Sequence, residues 1–357
     1  MFKNFEIQSF HRKYEVLFEP CMGALRNEIR DGDIVLIDST VFGLYPRIAE
    51  IVKENKYFLI EANEGAKTYE EIGGLITKVI ETGFSKNNRL IAIGGGITQD
   101  ITGFASSILY RGVKWVFFPT NLLTQCDSCI GSKTSVNCGE YKNQLGGFYP
   151  PSKIVIDFDF CDTLGEKDIC SGLGEMMHYF LVEGTDDLST LFEDIKQAKH
   201  DKATLAKLVR QSLAIKSKMI EIDEFDQGPR NVFNYGHSFG HAIESTTNFQ
   251  IPHGIAVAYG MDLANIISAN LGLIDISLRN RIRPILEEIW KDVPLPSIDL
   301  GQYFAALSKD KKNIGNEIKV ILTRGTGDMF KTTLDKTDAI ESIIQKFFTS
   351  KLYKEDL

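Results

Sequence analysis

The sequence predicts an α/β protein in two parts: a doubly wound, mostly parallel sheet over residues 1–165, then a mainly α-helical domain over 166–357. Three observations predict it. Short β-rich runs alternate with helix-length stretches up to about residue 165, the pattern of successive βαβ units. A glycine-rich junction closes one of those runs. Beyond Leu164 the apolar residues fall at helical spacing instead.

The strands follow in order at residues 33–38 (DIVLID), 56–61 (KYFLIE), 88–96 (NRLIAIGGG), 114–120 (KWVFFPT) and 153–159 (KIVIDFD). The third passes from apolar residues 90–93 into Gly94, Gly95 and Gly96, and then into a helix-compatible stretch at 101–112 (ITGFASSILYRG). A strand, a tight turn and a helix amino terminus together present backbone N–H groups to a phosphate. The plainer alternative is an ordinary glycine-rich βα turn. The architecture is Rossmann-like, but GGGITQD lacks the last glycine of G-x-G-x-x-G and the Gly-Lys-Ser/Thr of a Walker loop. Helical periodicity then covers 187–222 and 262–273, and strand character returns at 317–323 (EIKVILT). No repeat or low-complexity tract interrupts the chain.

Composition narrows the function classes. The 357 residues are 43% hydrophobic and 25% charged, an ordinary globular profile, and that length suits two domains. A net charge of −8 argues against a nucleic-acid or anionic-membrane binder, while leaving room for a local basic pocket. Charges interrupt every apolar stretch of the first twenty residues, and no window of eighteen apolar residues exists, so a cytoplasmic location is expected. The six cysteines (Cys21, Cys126, Cys129, Cys138, Cys161 and Cys170) read as reduced thiols. The Cys126-x-x-Cys129 spacing lacks the second pair that a structural zinc site needs.

Three of the six histidines lie between Asn231 and Met261. His237 and His241 stand at i and i+4, on one face of a helix, and His253 follows at a turn marked by Pro252 and Gly254. Neutral imidazole suits Zn²⁺, and a catalytic zinc keeps three protein ligands and one open position. The pair alone reads equally well as hydrogen-bonded core or surface histidines.

Eight segments in order, over nearly the whole chain, resemble the 3-dehydroquinate synthases and related sugar phosphate cyclases. They are DITGFASSILYRG (100–112), PTNLLTQCDSCIGSKTSVN (119–137), YKNQLGGFYPP (141–151), DTL (162–164), GLGEMMHY (172–179), RNVFNYGHSFGHAIE (230–244), HGIAVAYGM (253–261) and KDKKN (309–313). The resemblance implies a dehydroquinate synthase-like fold and an NAD⁺- and Zn²⁺- (or Co²⁺-) dependent enzyme. Such an enzyme closes a phosphorylated keto sugar into a carbocycle and releases inorganic phosphate. Oxidation of a ring alcohol acidifies the neighbouring C–H, phosphate leaves, and reduction restores the alcohol, so NAD⁺ is recycled.

The resemblance also implies roles. Glu175, His237 and His253 would hold the metal. Asp38, Glu64, Lys67, Gly95, Gly96, Asp100, Thr120, Lys142, Phe160, Thr163 and Leu164 fall on nucleotide-binding positions, with Asn121 where a second threonine is usual. Lys133, Asn143, Asn234, His241, Lys311 and Lys312 would bind the phosphate and ring oxygens of a small phosphorylated sugar acid, with Arg111 donated by the neighbouring subunit of a homodimer. Asp127 would orient the reacting centre, and Lys216 with Arg230 would grip the substrate carboxylate.

Three residues depart from the pattern. His178 replaces a lysine three positions after the metal glutamate, Ile255 replaces a glutamate after His253-Gly254, and Gln99 replaces a glycine before Asp100. His178 is nevertheless expected at the substrate. These departures keep a specialised cyclase for another sugar phosphate as the second reading. A glycerol or iron-type alcohol dehydrogenase is a third, disfavoured by the lysines and asparagines of SKTSVN and YKNQ.

Overall fold

The structure is a computed structural model and describes residues 4–349 other than 140, 186 and 310–316. Its strands are β1 (Phe5–Gln8), β2 (Lys13–Phe18), β3 (Ile34–Asp38), β4 (Lys56–Ile60), β5 (Leu90–Gly94), β6 (Trp115–Pro119), β7 (Lys133–Cys138), β8 (Tyr141–Phe148), β9 (Lys153–Ile156), β10 (Glu317–Thr323) and β11 (Met329–Asp335). The helices of the first half are α1 (Cys21–Glu28), α2 (Ser39–Leu44), α3 (Pro46–Lys53), α4 (Tyr69–Glu81) and α5 (Gly96–Ile108). Those of the second are α6 (Glu166–Glu183), α7 (Leu188–Ala198), α8 (Lys202–Ile222), α9 (His237–Thr246), α10 (His253–Asn270), α11 (Ile276–Trp290), α12 (Leu300–Lys309) and α13 (Asp338–Thr349).

The chain divides into two compact units, residues 1–164 with 216–225, and residues 165–215 with 226–357. The division after Leu164 lies one residue from the expected boundary. The difference is at Lys216: residues 216–225 group with the first unit, although the helical periodicity through 187–222 reads as second-domain sequence. That periodic stretch forms two helices, α7 and α8.

The first unit is built on a sheet in the order β1-β2-β9-β6-β5-β3-β4, with every pairing parallel except the edge pair β1–β2. Strands β3, β5 and β6 are buried along their whole length, because helices cover both faces of a parallel sheet. Val35, Ile37, Ile91, Ile93, Val116, Phe118 and Val155 pack in its core with residues of α1 and α3. Chain order reverses between β3 and β5, so the carboxyl ends of these strands, at Asp38 and Gly94, flank the crevice where doubly wound folds bind ligands. The β7–β8 hairpin, whose strands the sequence reading did not anticipate, follows β6.

In the second unit α6, α9 and α10 form the centre. Residues 254–268 of α10 are all buried, mostly apolar but with Asp262, Asn265 and Ser268 among them, so this helix is covered on every side. The expected strand at 317–323 pairs with β11 in an antiparallel hairpin. Among the described residues no helix is long and apolar enough to cross a membrane.

Candidate active site

Glu175, His237 and His253 reach one point because glycines let their helices touch backbone to backbone. Gly174 precedes Glu175 on α6, and a Cβ there would overlap the carbonyl oxygen of Gly254, the residue after His253. In the other direction, a Cβ on Gly254 would overlap the Ser171 carbonyl, and the Gly254 N–H donates to Ser171 Oγ at 3.0 Å. Gly236, with φ of 81°, turns the chain into α9 just before His237, and a Cβ there would lie 2.7 Å from the Val257 carbonyl oxygen. Left-handed φ and this close approach both demand glycine. Each of the three residues therefore has a glycine beside it in sequence.

The result is a compact donor set. One donor atom from each of Glu175, His237 and His253 lies within 4.8 Å of the others. Glu175 Oε2 is 3.3 Å from His253 Nε2, and Glu175 Oε1 is 3.6 Å from His237 Nε2. Donors held at 2.0–2.1 Å around a tetrahedral ion stand roughly 3.3 Å apart, so the spacing fits zinc-like coordination. Glu175 Oε2 is buried and finds no hydrogen-bond donor of good geometry among the described residues, which leaves it able to meet a cation. The far nitrogens are engaged elsewhere: His237 Nδ1 lies 3.3 Å from the Tyr235 carbonyl oxygen and His253 Nδ1 lies 3.0 Å from Glu244 Oε2. Both rings therefore turn Nε2 toward Glu175. Burial works to raise the Glu175 pKa, but the neighbouring charges and hydrogen bonds of His237 and His178 outweigh it and hold the carboxyl well below the usual range.

His178, on α6 three residues after Glu175, is buried, with Nε2 3.0 Å from Glu175 Oε1. The structure thus sets it against the carboxylate. His241 is exposed on α9, its ring 5.5 Å from those of both His237 and His253. Asn234 donates to the Asn231 carbonyl at 3.0 Å in the turn before α9, and Arg230 is buried in the same turn. Ile255 lies in the core of α10. Lys311 and Lys312 lie outside the described residues.

In the first unit the glycine turn is as expected: β5 ends at Gly94 and α5 starts at Gly96. Gly95 offers no side-chain cap, which leaves first-turn N–H groups to serve an anion. Thr120 N–H donates to the Gly94 carbonyl at 3.0 Å, and Asn121 Oδ1 accepts from Thr124 N at 2.9 Å. Asp38 at the end of β3 caps α2 through Thr40 N. Beside the turn, Lys67 Nζ lies 2.5 Å from Asp100 Oδ2 and donates to Asn143 Oδ1 at 2.8 Å. Ser135 donates to Asp100 from both its N–H and its hydroxyl, and Asn137 Nδ2 donates to Glu64 Oε2 at 2.8 Å. Four expected residues, Glu64, Lys67, Asp100 and Asn143, thus meet in one network.

Ser135 and Asn137 complete that network; Asn137 is the asparagine of SKTSVN, and Ser135 was not anticipated. A signal existed: Lys133, Ser135 and Asn137 alternate with Thr134 and Val136, a polar face at period two. Glu244 was missed in the same way, since His237, His241 and Glu244 stand at i, i+4 and i+7 on one face of α9.

Asp127 sits in a π-helical turn, Thr124–Ser128, with Lys216 Nζ 2.7 Å from its Oδ1. Gln99 donates to the Ser128 carbonyl at 2.5 Å and accepts from its hydroxyl at 2.8 Å, so it braces this turn against α5. Cys126 and Cys129 are buried thiols, and burial pushes Cys129 up to about 12. Lys133 and Lys142 are exposed on the β7–β8 hairpin. Arg111 is exposed beyond α5, where Tyr110 and Arg111 both adopt left-handed φ, of 49° and 62°. Phe160 and Thr163 help line a cavity of about 550 Å³, in which the Tyr45 hydroxyl meets Thr163 Oγ1 at 2.7 Å, and half-buried Leu164 follows them.

Comparison with known proteins agrees with this geometry. Residues 57–171 match the 3-dehydroquinate synthase N-terminal domain and residues 172–313 its C-terminal domain. The chain is 35% identical over 321 residues to a 3-dehydroquinate synthase of Acidithiobacillus ferrooxidans, covering 88% of each. It is 33% identical over 309 residues to one of Alkaliphilus metalliredigens, covering 85% of this chain and 87% of the relative. Among solved structures it resembles 2-epi-5-epi-valiolone synthase of Streptomyces hygroscopicus with NAD⁺ and Zn²⁺ bound, at a TM-score of 0.79 and 25% identity, covering 94% and 96% of the two chains. A 2-deoxy-scyllo-inosose synthase shares the fold at a TM-score of 0.87 and 24% identity over 96% of this chain and 99% of that one. An iron-containing alcohol dehydrogenase is more distant, at 0.61 and 14% over 94% and 98%. The domain matches and the identity over most of the chain therefore place this protein in the 3-dehydroquinate synthase family.

Proposed function

We propose that the protein is a cytoplasmic, homodimeric 3-dehydroquinate synthase, cyclising 3-deoxy-D-arabino-heptulosonate 7-phosphate with loss of inorganic phosphate. The observation that carries the chemistry is the convergence of Glu175, His237 and His253, one carboxylate and two imidazoles with donor spacing suited to a divalent cation. When bound, Zn²⁺ or Co²⁺ would polarise the ring oxygen and NAD⁺ would accept a hydride and return it.

The protein's own residues bind and orient. In this reading the Gly95–Gly96 turn receives the dinucleotide phosphates, and Asp38, Glu64, Lys67, Asp100, Thr120, Asn121, Lys142, Phe160, Thr163 and Leu164 hold the rest of the cofactor. Lys133, Asn143, Asn234, His241, Lys311 and Lys312 bind the phosphate and ring oxygens, with Arg111 supplied by the neighbouring subunit. Asp127 orients the reacting centre, with Lys216 already beside it. Arg230, with Lys216, takes the substrate carboxylate, for which a planar guanidinium is suited.

A specialised cyclase for another sugar phosphate is the second reading. It is favoured by His178, which is buried against Glu175 where the family pattern has a lysine. Phosphate release from the heptulosonate, sedoheptulose 7-phosphate and glucose 6-phosphate separates the two. Many phosphates per NAD⁺ without accumulating NADH are expected from a cyclase; stoichiometric NADH would point to dehydrogenase chemistry instead. Arg230→Ala should lower kcat/KM on the heptulosonate by roughly thirty- to a thousandfold, with Arg230→Lys a partial rescue. An equal penalty on the analogue without a carboxylate would favour the specialised cyclase.

A further inference from the structure

Glu244 lies outside the Glu175, His237 and His253 set, yet it is placed to act on it. It is the eighth residue of α9, two turns beyond His237 and on the same face. Its Oε2 stands 3.0 Å from His253 Nδ1, the nitrogen turned away from Glu175, while His253 Nε2 faces Glu175 at 3.3 Å. Its side chain is only 12% exposed, so the contact is shielded from competing water. A neutral imidazole carries one ring proton, and the nitrogen without it is the one able to bind a cation. A carboxylate beside Nδ1 holds the proton there, leaves the Nε2 lone pair facing Glu175, fixes the ring plane and increases the basicity of Nε2.

We infer that Glu244 is a positioning residue for metal binding: by accepting the His253 Nδ1 proton in a hydrogen bond it sets the tautomer and orientation of that ligand. The inference rests on the reading of Glu175, His237 and His253 as a metal site. The competing arrangement is also geometric. One donor atom from each of His241, Glu244 and His253 lies within 4.8 Å of the others, so Glu244 could instead be a ligand of a second ion. A ligand and a hydrogen-bond partner differ in stoichiometry and in what the amide replacement does.

The test is metal binding by the apoprotein. Zn²⁺ affinity is measured against a chromogenic chelator, and the Co²⁺ absorption spectrum is recorded, for the wild type, Glu244→Gln and Glu244→Ala. Glu244→Gln keeps an acceptor of similar shape without the charge; it should weaken Zn²⁺ binding by about tenfold and preserve a single-ion Co²⁺ spectrum. Glu244→Ala should weaken it by up to roughly a hundredfold and alter the spectrum. In a His253→Ala background neither change should reduce the residual affinity further, because the ring that Glu244 positions is gone. Unchanged Zn²⁺ affinity in Glu244→Ala, or two ions per wild-type chain falling to one in the variants, overturns the assignment. A wild type that binds no divalent ion overturns the metal reading itself, a different result from a wild type that binds and is indifferent to Glu244.

Discussion

Beside the Gly94–Gly96 turn the converging groups come from the segment after β4, from α5 and from the antiparallel β7–β8 hairpin, whereas Glu175, His237 and His253 come from three helices. The first arrangement is held by side chains bonding one another: Lys67, Asp100, Ser135, Asn143, Asn137 and Glu64 form a chain of polar contacts. The second is held by side chains that are absent, since Gly174, Gly254 and Gly236 permit the helix contacts. A polar network can absorb a local change by re-pairing. A backbone contact between helices has nowhere to move, so the same small substitution should cost far more in the second unit.

The sharpest way to break this contrast is at a proposed ligand. His253→Ala should lose bound metal and reduce turnover on the order of a thousandfold while the far-UV dichroism stays native. Normal metal content in that variant would remove His253 from the site. The next effect compares glycines directly. Gly254→Ala drives a methyl into the Ser171 carbonyl and should cost about 3 kcal/mol of unfolding free energy. Gly95→Ala meets the flexible amide of Asn121 and should cost about 1 kcal/mol or less. Equal losses in urea titrations would erase the distinction between the two regions.

Within the polar network, Lys67→Met leaves Asp100 without its cation. The Asp100 side chain is 21% exposed, so the stability loss should be about 2 kcal/mol, below that of a fully buried pair. NAD⁺ affinity, read by isothermal calorimetry, should fall in parallel by about thirtyfold. An NAD⁺ affinity unchanged within twofold would confine Lys67 to a structural role.

The smallest effect lies away from both sites, at Glu28 between Arg89 and Lys153. Burial works to raise its pKa, but hydrogen bonds and charge from Lys153 and Arg89 prevail and lower it. Its folded pKa is depressed, so its contribution is present above its unfolded value near 4.3 and is lost as pH falls through the folded value. Glu28→Gln should therefore cost up to about 1 kcal/mol at neutral pH and progressively less as pH falls through the folded pKa. A constant difference across that range would contradict the assignment.

Much of the fold was legible because strand runs and glycines are local signals. The buried runs at β3, β5 and β6 and the helix start at Gly96 are set by neighbours in sequence. Residues 216–225 group with the first unit, which helical periodicity does not register, since it marks a helix but not what its end packs with; Glu224, for one, bonds Ser9 and Phe10 more than two hundred residues earlier. The strands of the β7–β8 hairpin were hidden by polar residues and glycines of weak β-propensity. At the site, the proposed ligand set rests on family resemblance rather than spacing, since His237 and His241 are equivalent by periodicity and the fold places the first beside Glu175. The contact between His178 and Glu175 needed the helix turn itself. Gln99 found its explanation only in the π-helical turn that it braces.

His237 and His253 are each the first residue of a helix, and this has an electrostatic consequence. Helix amino termini carry roughly half a positive charge each, so two of them would oppose a divalent cation bound as proposed instead of assisting it. With a divalent ion held there, Glu175 and Glu244 would offset its charge, and the helix ends would leave a surplus on the order of one positive unit beside the three residues. Such a place is matched to an oxygen bearing a single negative charge. A neutral alcohol entering it gains most by giving up its proton.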